Sequence, residues 1–208
     1  FCHTDDGLFR FDISEYRFYN LDSVNSIAQV EEAFRQPTQR GHFHNGVMQF
    51  IDPQGLCWQV KNDVLYCLAP KESPVTPLHM EQAATVGTMQ RDSKGRIWLT
   101  TKGDATVRLL DSKGQELGYL TPQGTLSPHY ASFGHSVYAV FESSDGHLWL
   151  GSKPDGLFRL TEAPSGRFTV ERVDGLTDVA VYSIAEDSRH RLWVGMLGQC
   201  VACIENPG

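Results

Sequence analysis

Four tryptophans set the frame of this chain, and each arrives in the same company. Trp58, Trp98, Trp149 and Trp193 are separated by 40, 51 and 44 residues. Twelve residues before the last three stands a valine, Val86, Val137 or Val181, and Val47 precedes Trp58 by 11. Three residues after each valine comes another apolar side chain: Phe50, Met89, Val140 and Ile184. Polar turns follow, "DPQG", "DSKG", "SSDG" and "DSRH", then the Trp run, a loop, and a second apolar run: "VLYCL", "ATVRL", "GLFRL" and "CVACI". At the N-terminal end "DDGLFRF" (5–11) aligns with "PDGLFRL" (154–160), which sets Phe1 opposite Leu150. A short unit repeated in this way cannot bury its apolar face alone and must stack on its neighbours, so the chain is confined to repeat architectures.

Within the unit the runs are short, rich in β-branched and aromatic residues, and separated by Gly, Asp, Ser and Lys turns, which marks them as strands. "DSKG" and "DPQG" suit a type I turn followed by a residue of positive φ. His190 occupies that glycine slot in "DSRH", and His is among the residues that tolerate it. A further stretch, "GQELGYL" (114–120) or "GRFTVERV" (166–173), completes four strands in about 44 residues, the size of a propeller blade. The expected fold is all-β, a β-propeller of four-stranded antiparallel blades with about four to five blades present. We name the valine strand A, the Trp strand B, the "GLFRL" strand C and the last strand D. The expected division is a partial blade at 1–20, an insertion at 21–46, blades at about 47–85, 86–136 and 137–180, and a partial last blade at 181–208. Seven such units would need roughly 300 residues, so the segment is expected to be part of a larger propeller with two open sheet edges.

The tryptophans, fixed in mid-strand, are expected to fill the space between twisted sheets and so serve as blade core rather than as sugar platforms. The pattern of a valine, an apolar residue three on, "DSxG", "LWVG" and "GLFRL" resembles the two-component regulator propeller repeat. "VYSIAEDSRHRLWVG" and "VYAVFESSDGHLWLGSKPDGLFRL" carry it most clearly, whereas "GLCWQV" lacks the glycine after the strand and Ala105 stands where a glycine usually opens strand C. The resemblance implies the extracytoplasmic, periplasmic sensor region of a bacterial hybrid histidine kinase, with an Ig-like domain, further blades and carbohydrate-derived ligands. No kinase, phosphoacceptor or Ig-like module falls within these residues.

A net charge of -7 argues against nucleic acid, which calls for a basic face. Apolar content of 40% and charged content of 21% are ordinary for a soluble globular chain. No apolar run approaches the ~18 residues of a membrane span. The opening "FCHTDDGLF" lacks an initiator Met, a basic segment and an apolar core, and reads as a mature or excised piece.

Binding residues concentrate on loops held by a rigid scaffold, and in a propeller the D-to-A and B-to-C connections surround the channel on one face. Two D-to-A connections are long. In residues 21–46, Ile27, Val30 and Phe34 fall at helical spacing behind Asn25 or Ser26, so a short helix packed on the disc is expected. Residues 121–136 gather His129, Tyr130, Phe133 and His135. The B-to-C loops repeat a Lys beside an Asp: Lys61 to Asp63, Lys102 to Asp104, and Lys153 to Asp155. Charged groups beside aromatic faces suit an oligosaccharide or another small ligand. Candidate ligand-binding residues are therefore His44, Asn45, Lys61, Lys102, Asp104, His129, Tyr130, His135, Lys153 and Asp155. The bland reading of the same set is turn chemistry.

No catalytic residues, cofactor or metal are expected. His42 and His44 fall on one face of a strand but lack a third ligand. "CVAC" (200–203) has no second half, and Glu142 and Glu186 end strand A where a turn-bonding role suits them better than general-base work. A B–C hairpin centred on Asn62 would set Cys57 opposite Cys67 within reach of a disulfide, with two free thiols the competing reading. Three functions compete: a ligand sensor relaying to a kinase in another part of its receptor, a protein-interaction scaffold using the rim and the insertion, and a metal-assisted lyase or lactonase. A homodimer is a further expectation for the sensor.

Overall fold

A computed structural model describes residues 2–4, 7–12, 17–20, 42–44, 47–51, 57–61, 64–68, 72–77, 85–198 and 201–205. The helix expected near Ile27 lies outside them, as does Asn45. Among the described residues, five antiparallel sheets follow one another along the chain. The first holds β1 (Cys2–Thr4), β2 (Gly7–Asp12) and β3 (Arg17–Asn20). The second holds β4 (His42–His44), β5 (Val47–Ile51), β6 (Cys57–Lys61), β7 (Val64–Leu68) and β8 (Glu72–Pro77). The third comprises β9 (Thr85–Arg91), β10 (Ile97–Lys102), β11 (Val107–Leu110), β12 (Glu116–Leu120) and β13 (Leu126–Ser127). The fourth comprises β14 (Ser136–Glu142), β15 (Leu148–Lys153), β16 (Gly156–Glu162) and β17 (Phe168–Arg172). The fifth comprises β18 (Val181–Glu186), β19 (Leu192–Met196) and β20 (Ala202–Ile204).

Within each sheet the strands pair in chain order, and the A strands β5, β9, β14 and β18 lie beside one another from sheet to sheet. The sheets are therefore blades of a β-propeller with the A strands innermost. Two strands go beyond the four-strand unit. β4 pairs along the free side of β5, and β13 pairs with the outer strand β12 after the turn at 121–125.

The Trp motif explains how each blade is locked. Asp92 accepts from the Arg96 amide through Oδ1, and from Arg96 Nε and Trp98 Nε1 through Oδ2 (2.8, 2.7 and 2.9 Å). The turn aspartate thus satisfies an indole N–H that would otherwise be buried without a partner. Asp187 does the same for Arg191 and Trp193, and Ser143 Oγ accepts from Trp149 Nε1. Gly95, Gly146 and His190 all adopt positive φ in the turn (80°, 87° and 59°), as the turn chemistry requires.

Strand alternation sends Trp58, Trp98 and Trp149 each onto the next sheet. Trp58 packs with Met89, Ile97 and Leu99 of the third sheet. Trp98 packs with Val137, Leu148, Leu150, Phe158 and Phe168 of the fourth, the last ring meeting it edge-on at 5.4 Å. Trp149 packs with Val181, Ile184, Leu192 and Val194 of the fifth. These three are at most 3% exposed, and deleting such a ring costs about 3–5 kcal/mol. Strands β10 and β15 are buried on both faces because each lies between two sheets. Strand β19 is buried only on alternate residues, and Trp193 is 38% exposed.

Polar latches accompany this packing. At the end of β14, Glu142 accepts from the amide and hydroxyl of Ser93 in the preceding blade's A–B turn (2.5 and 2.7 Å). At the end of β18, Glu186 accepts from the amide and hydroxyl of Ser144 (2.8 and 2.7 Å), and His190 Nδ1 lies 2.8 Å from the same hydroxyl. Arg96 and Lys94 reach across to Glu162 at the end of β16. Farther in, Gly151 admits Val181: a Cβ on Gly151 would come 2.5 Å from Val181 Cγ1.

The disulfide expectation is corrected. Lys61 pairs with Val64, so the connection holds two residues rather than three, and Cys67 falls opposite Trp58 instead of Cys57. A slip of one residue exchanges the faces of a strand, and Cys67 is a free thiol.

Candidate functional site

In the third, fourth and fifth sheets the B strand ends beside the start of its own A strand: Lys102 pairs with Thr85, Lys153 with Ser136, and Met196 with Val181. Just inside this end, all three A strands carry a β-bulge at the same slot. Pairing skips Gly87, Tyr138 and Tyr182, each the residue immediately after the A-strand valine. A bulge inserts an extra residue and re-aims its side chain. The Tyr138 and Tyr182 rings meet edge-to-face with centroids 5.0 Å apart, and Lys102 Nζ sits 5.0 Å from the Tyr138 centroid. Gly87 fills the slot in the third sheet because a Cβ there would come 2.7 Å from Thr100 Oγ1 and Val137 O. The result is a strip of one cation, at the end of the B strand β10, and two phenols on the innermost strands of the next two blades, all three side chains partly exposed.

The loop candidates fall into different places. Lys102 joins the strip, and Lys153 is exposed at the same end of the neighbouring sheet. His135 lies between the Phe133 and Phe158 rings (centroids 5.6 and 4.7 Å), with Nδ1 2.9 Å from Asp155 Oδ2. Asp104 is buried and faces inward, accepting from Thr101 Oγ1, so it holds its loop rather than facing a ligand. That loop is tied down in turn by Phe133, whose amide donates to Ala105 O (2.9 Å), and by Ser132, whose hydroxyl donates to Asp104 O (2.9 Å). Tyr130 is 43% exposed but sits at the outer rim over Tyr119 of β12, with His129 exposed beside it. Beneath Tyr119 the Arg108 guanidinium is stacked at 4.8 Å. Burial raises the Tyr119 phenol above its usual value, against the opposing charge of Arg108. His44 ends β4 and Lys61 ends β6, at positions whose side chains lie outside the described residues.

Sequence reasoning missed Tyr138 and Tyr182. The signal was present, since "SVYAV" and "AVYSI" repeat Tyr after the valine, but regular alternation would put those rings on a blade face rather than in a bulge. Glu142 and Glu186, the acids weighed for catalysis, are taken up by the serine latches. Among the described residues no group of three or more His, Cys, Asp or Glu is placed to hold a metal ion.

Residues 132–153 and 175–198 match the two component regulator propeller. None of the curated proteins matches the chain. Among solved structures, it resembles the extracellular domain of a hybrid two component system from B. thetaiotaomicron (TM-score 0.56, 15% identity, 95% of this chain and 24% of that one). It also resembles PorZ, a surface component of the type-IX secretion system of Porphyromonas gingivalis (TM-score 0.55, 19% identity, 95% and 29%). A third similar structure is virginiamycin B lyase from Staphylococcus aureus (TM-score 0.54, 14% identity, 76% and 55%). These likenesses concern the fold, and the chain spans between about a quarter and a little over half of those proteins.

Proposed function

We propose that this chain, with its two-component regulator propeller repeats, is the ligand-facing part of an extracytoplasmic sensor and binds a carbohydrate-derived ligand on its innermost strands. The observation that carries this reading is the strip formed by the bulged Tyr138 and Tyr182 with Lys102 at the end of β10. Phenol rings offer apolar faces for sugar C–H surfaces and hydroxyls for hydrogen bonding, and a lysine beside them favours an anionic substituent such as a uronate. Lys153 and the His135–Asp155 pair extend the same polar end of the blades. The sensor role is supported by the repeat match and by the hybrid two-component structure of similar fold. Binding without catalysis fits the engagement of Glu142 and Glu186 in holding turns.

Calorimetric titration with neutral and uronate-containing oligosaccharides tests the proposal. Tyr182→Ala and Lys102→Ala should each weaken the best ligand by about tenfold or more, about 1.4 kcal/mol, with the unfolding transition unchanged. A wild-type chain indifferent to every oligosaccharide but binding a protein at its rim would replace the sensor with a scaffold.

A further inference from the structure

The glycine slot of the A–B turn is treated differently in three consecutive blades. In the third sheet the Arg91 guanidinium lies against it, and a Cβ on Gly95 would come 3.0 Å from Arg91 Nη2. In the fifth the slot is His190, whose ring turns back toward the preceding blade. Its Nδ1 lies 2.8 Å from Ser144 Oγ and 3.2 Å from Glu186 Oε1. The Ser144 hydroxyl donates to Glu186, so the imidazole N–H is the donor in both contacts. In the fourth the slot is Gly146, and a Cβ there would meet nothing within 4 Å.

A cleft of about 220 Å³ opens at that point, between the A–B turns of the third and fourth sheets. Lys94 and Arg96 line it from the third sheet, and Glu142, Asp145, His147 and Glu162 from the fourth. Glu142 ends β14, whereas Tyr138 lies near its start, so the cleft and the tyrosine strip are at opposite ends of the blade. Glu142 holds the Ser93 amide and hydroxyl as Glu186 holds those of Ser144. Among the described residues, no third donor takes the place of His190 there. Both cations of the lining are already engaged: Arg96 by Asp92 and Glu162, and Lys94 by Glu162. Three carboxylates thus face two cations, and the balance of charge favours a positive group.

We propose that this cleft binds a compact organic cation bearing N–H donors, a protonated amine or an imidazolium, in the place that His190 fills one blade later. Its N–H donates to Ser93 Oγ and Glu142 Oε1, completing the same three-part contact that Ser144, Glu186 and His190 make within the chain. A charged donor on a carboxylate makes the stronger kind of hydrogen bond, so the carboxylate of Glu142 selects for the cation.

Imidazole and methylammonium, titrated into the isotope-labelled chain at about pH 6, where the imidazole is charged, test the site by amide NMR, with acetate as the anionic counterpart. Both cations should give saturable shifts at the amides of Ser93, Gly146 and His147, with dissociation constants on the order of a millimolar for ligands of so few atoms, and acetate none. Gly146→His builds the imidazole into the chain at a φ of 87°, where His190 already holds 59°, and should weaken both cations by tenfold or more. Glu142→Gln leaves the glycine turn intact and should weaken both to a similar degree, so the test does not rest on one variant folding. Shifts that never saturate, that acetate reproduces, or that persist undiminished in a folded Gly146→His or Glu142→Gln chain overturn the proposal.

Discussion

Ala105 holds a φ of 53° in the slot where the next blade has Gly156 at 84°. A left-handed alanine costs about 1–2 kcal/mol, while a glycine there gives up about 0.5–1 kcal/mol in chain entropy. The bonds at this residue run to its carbonyl, which accepts from Phe133 and Ser132, and glycine keeps it. Ala105→Gly should therefore raise stability by roughly 0.5–1 kcal/mol in chemical denaturation. Gly156 has no such latitude in reverse, because a Cβ would come 1.7 Å from Leu176 O. Arg108 is a second residue whose environment contradicts its chemistry. Its guanidinium is fully buried with all three nitrogens lacking hydrogen bonds, and its nearest acid, Glu116, is 3.8 Å away. Desolvation of such a charge is poorly offset, so Arg108→Met should keep or raise the unfolding midpoint. Arg108→Ala, which removes the packed stem as well, should lower the unfolding free energy by about 2–4 kcal/mol.

At the level of strands and turns, the latches make stability depend on acid. Burial works against ionisation of Glu186, but the Ser144 hydroxyl and amide, with His190, outweigh it and hold the carboxylate below its ordinary value of 4.5. Glu162 is shifted the same way, burial being outweighed by Arg96 and Lys94. A carboxylate that titrates lower folded than unfolded adds stability that is complete above pH 4.5 and is lost as the pH falls through its folded value. Thermal melts from about pH 6 to about pH 3 should show the midpoint dropping across the acid range, and Glu186→Gln should lower the midpoint at pH 6 while flattening the drop. Much of this element-level architecture was legible in the sequence. The turn Asp or Ser six residues before Trp98, Trp149 and Trp193 is the indole acceptor, and the glycine slots are the positive-φ positions. What was not legible turned on single-residue register. "KND" between β6 and β7 suits a two- or a three-residue connection equally, and the choice decided which side chain faces Cys67. The bulges at Tyr138 and Tyr182 are equally silent in a pattern read by strict alternation, so the candidate strip emerged only with the pairing.

For the molecule as a whole, the repeat frame predicted blades stacked through their tryptophans, and the third, fourth and fifth sheets are joined in that way. It left the ligand end undetermined, because loop residues with the same Lys and Asp letters serve different ends: Lys102 faces a ring, whereas Asp104 is folded into its own loop. The latches also give the fourth sheet two unlike sides. One side carries the tryptophan and the serine turn, and the other carries the valine and the terminal glutamate. Like sides are not complementary, so these surfaces associate head to tail and a two-fold axis cannot relate them. Stacking therefore has a direction along the chain. A gene duplication that adds one repeat would preserve the Trp-to-valine junction already formed between the fourth and fifth sheets.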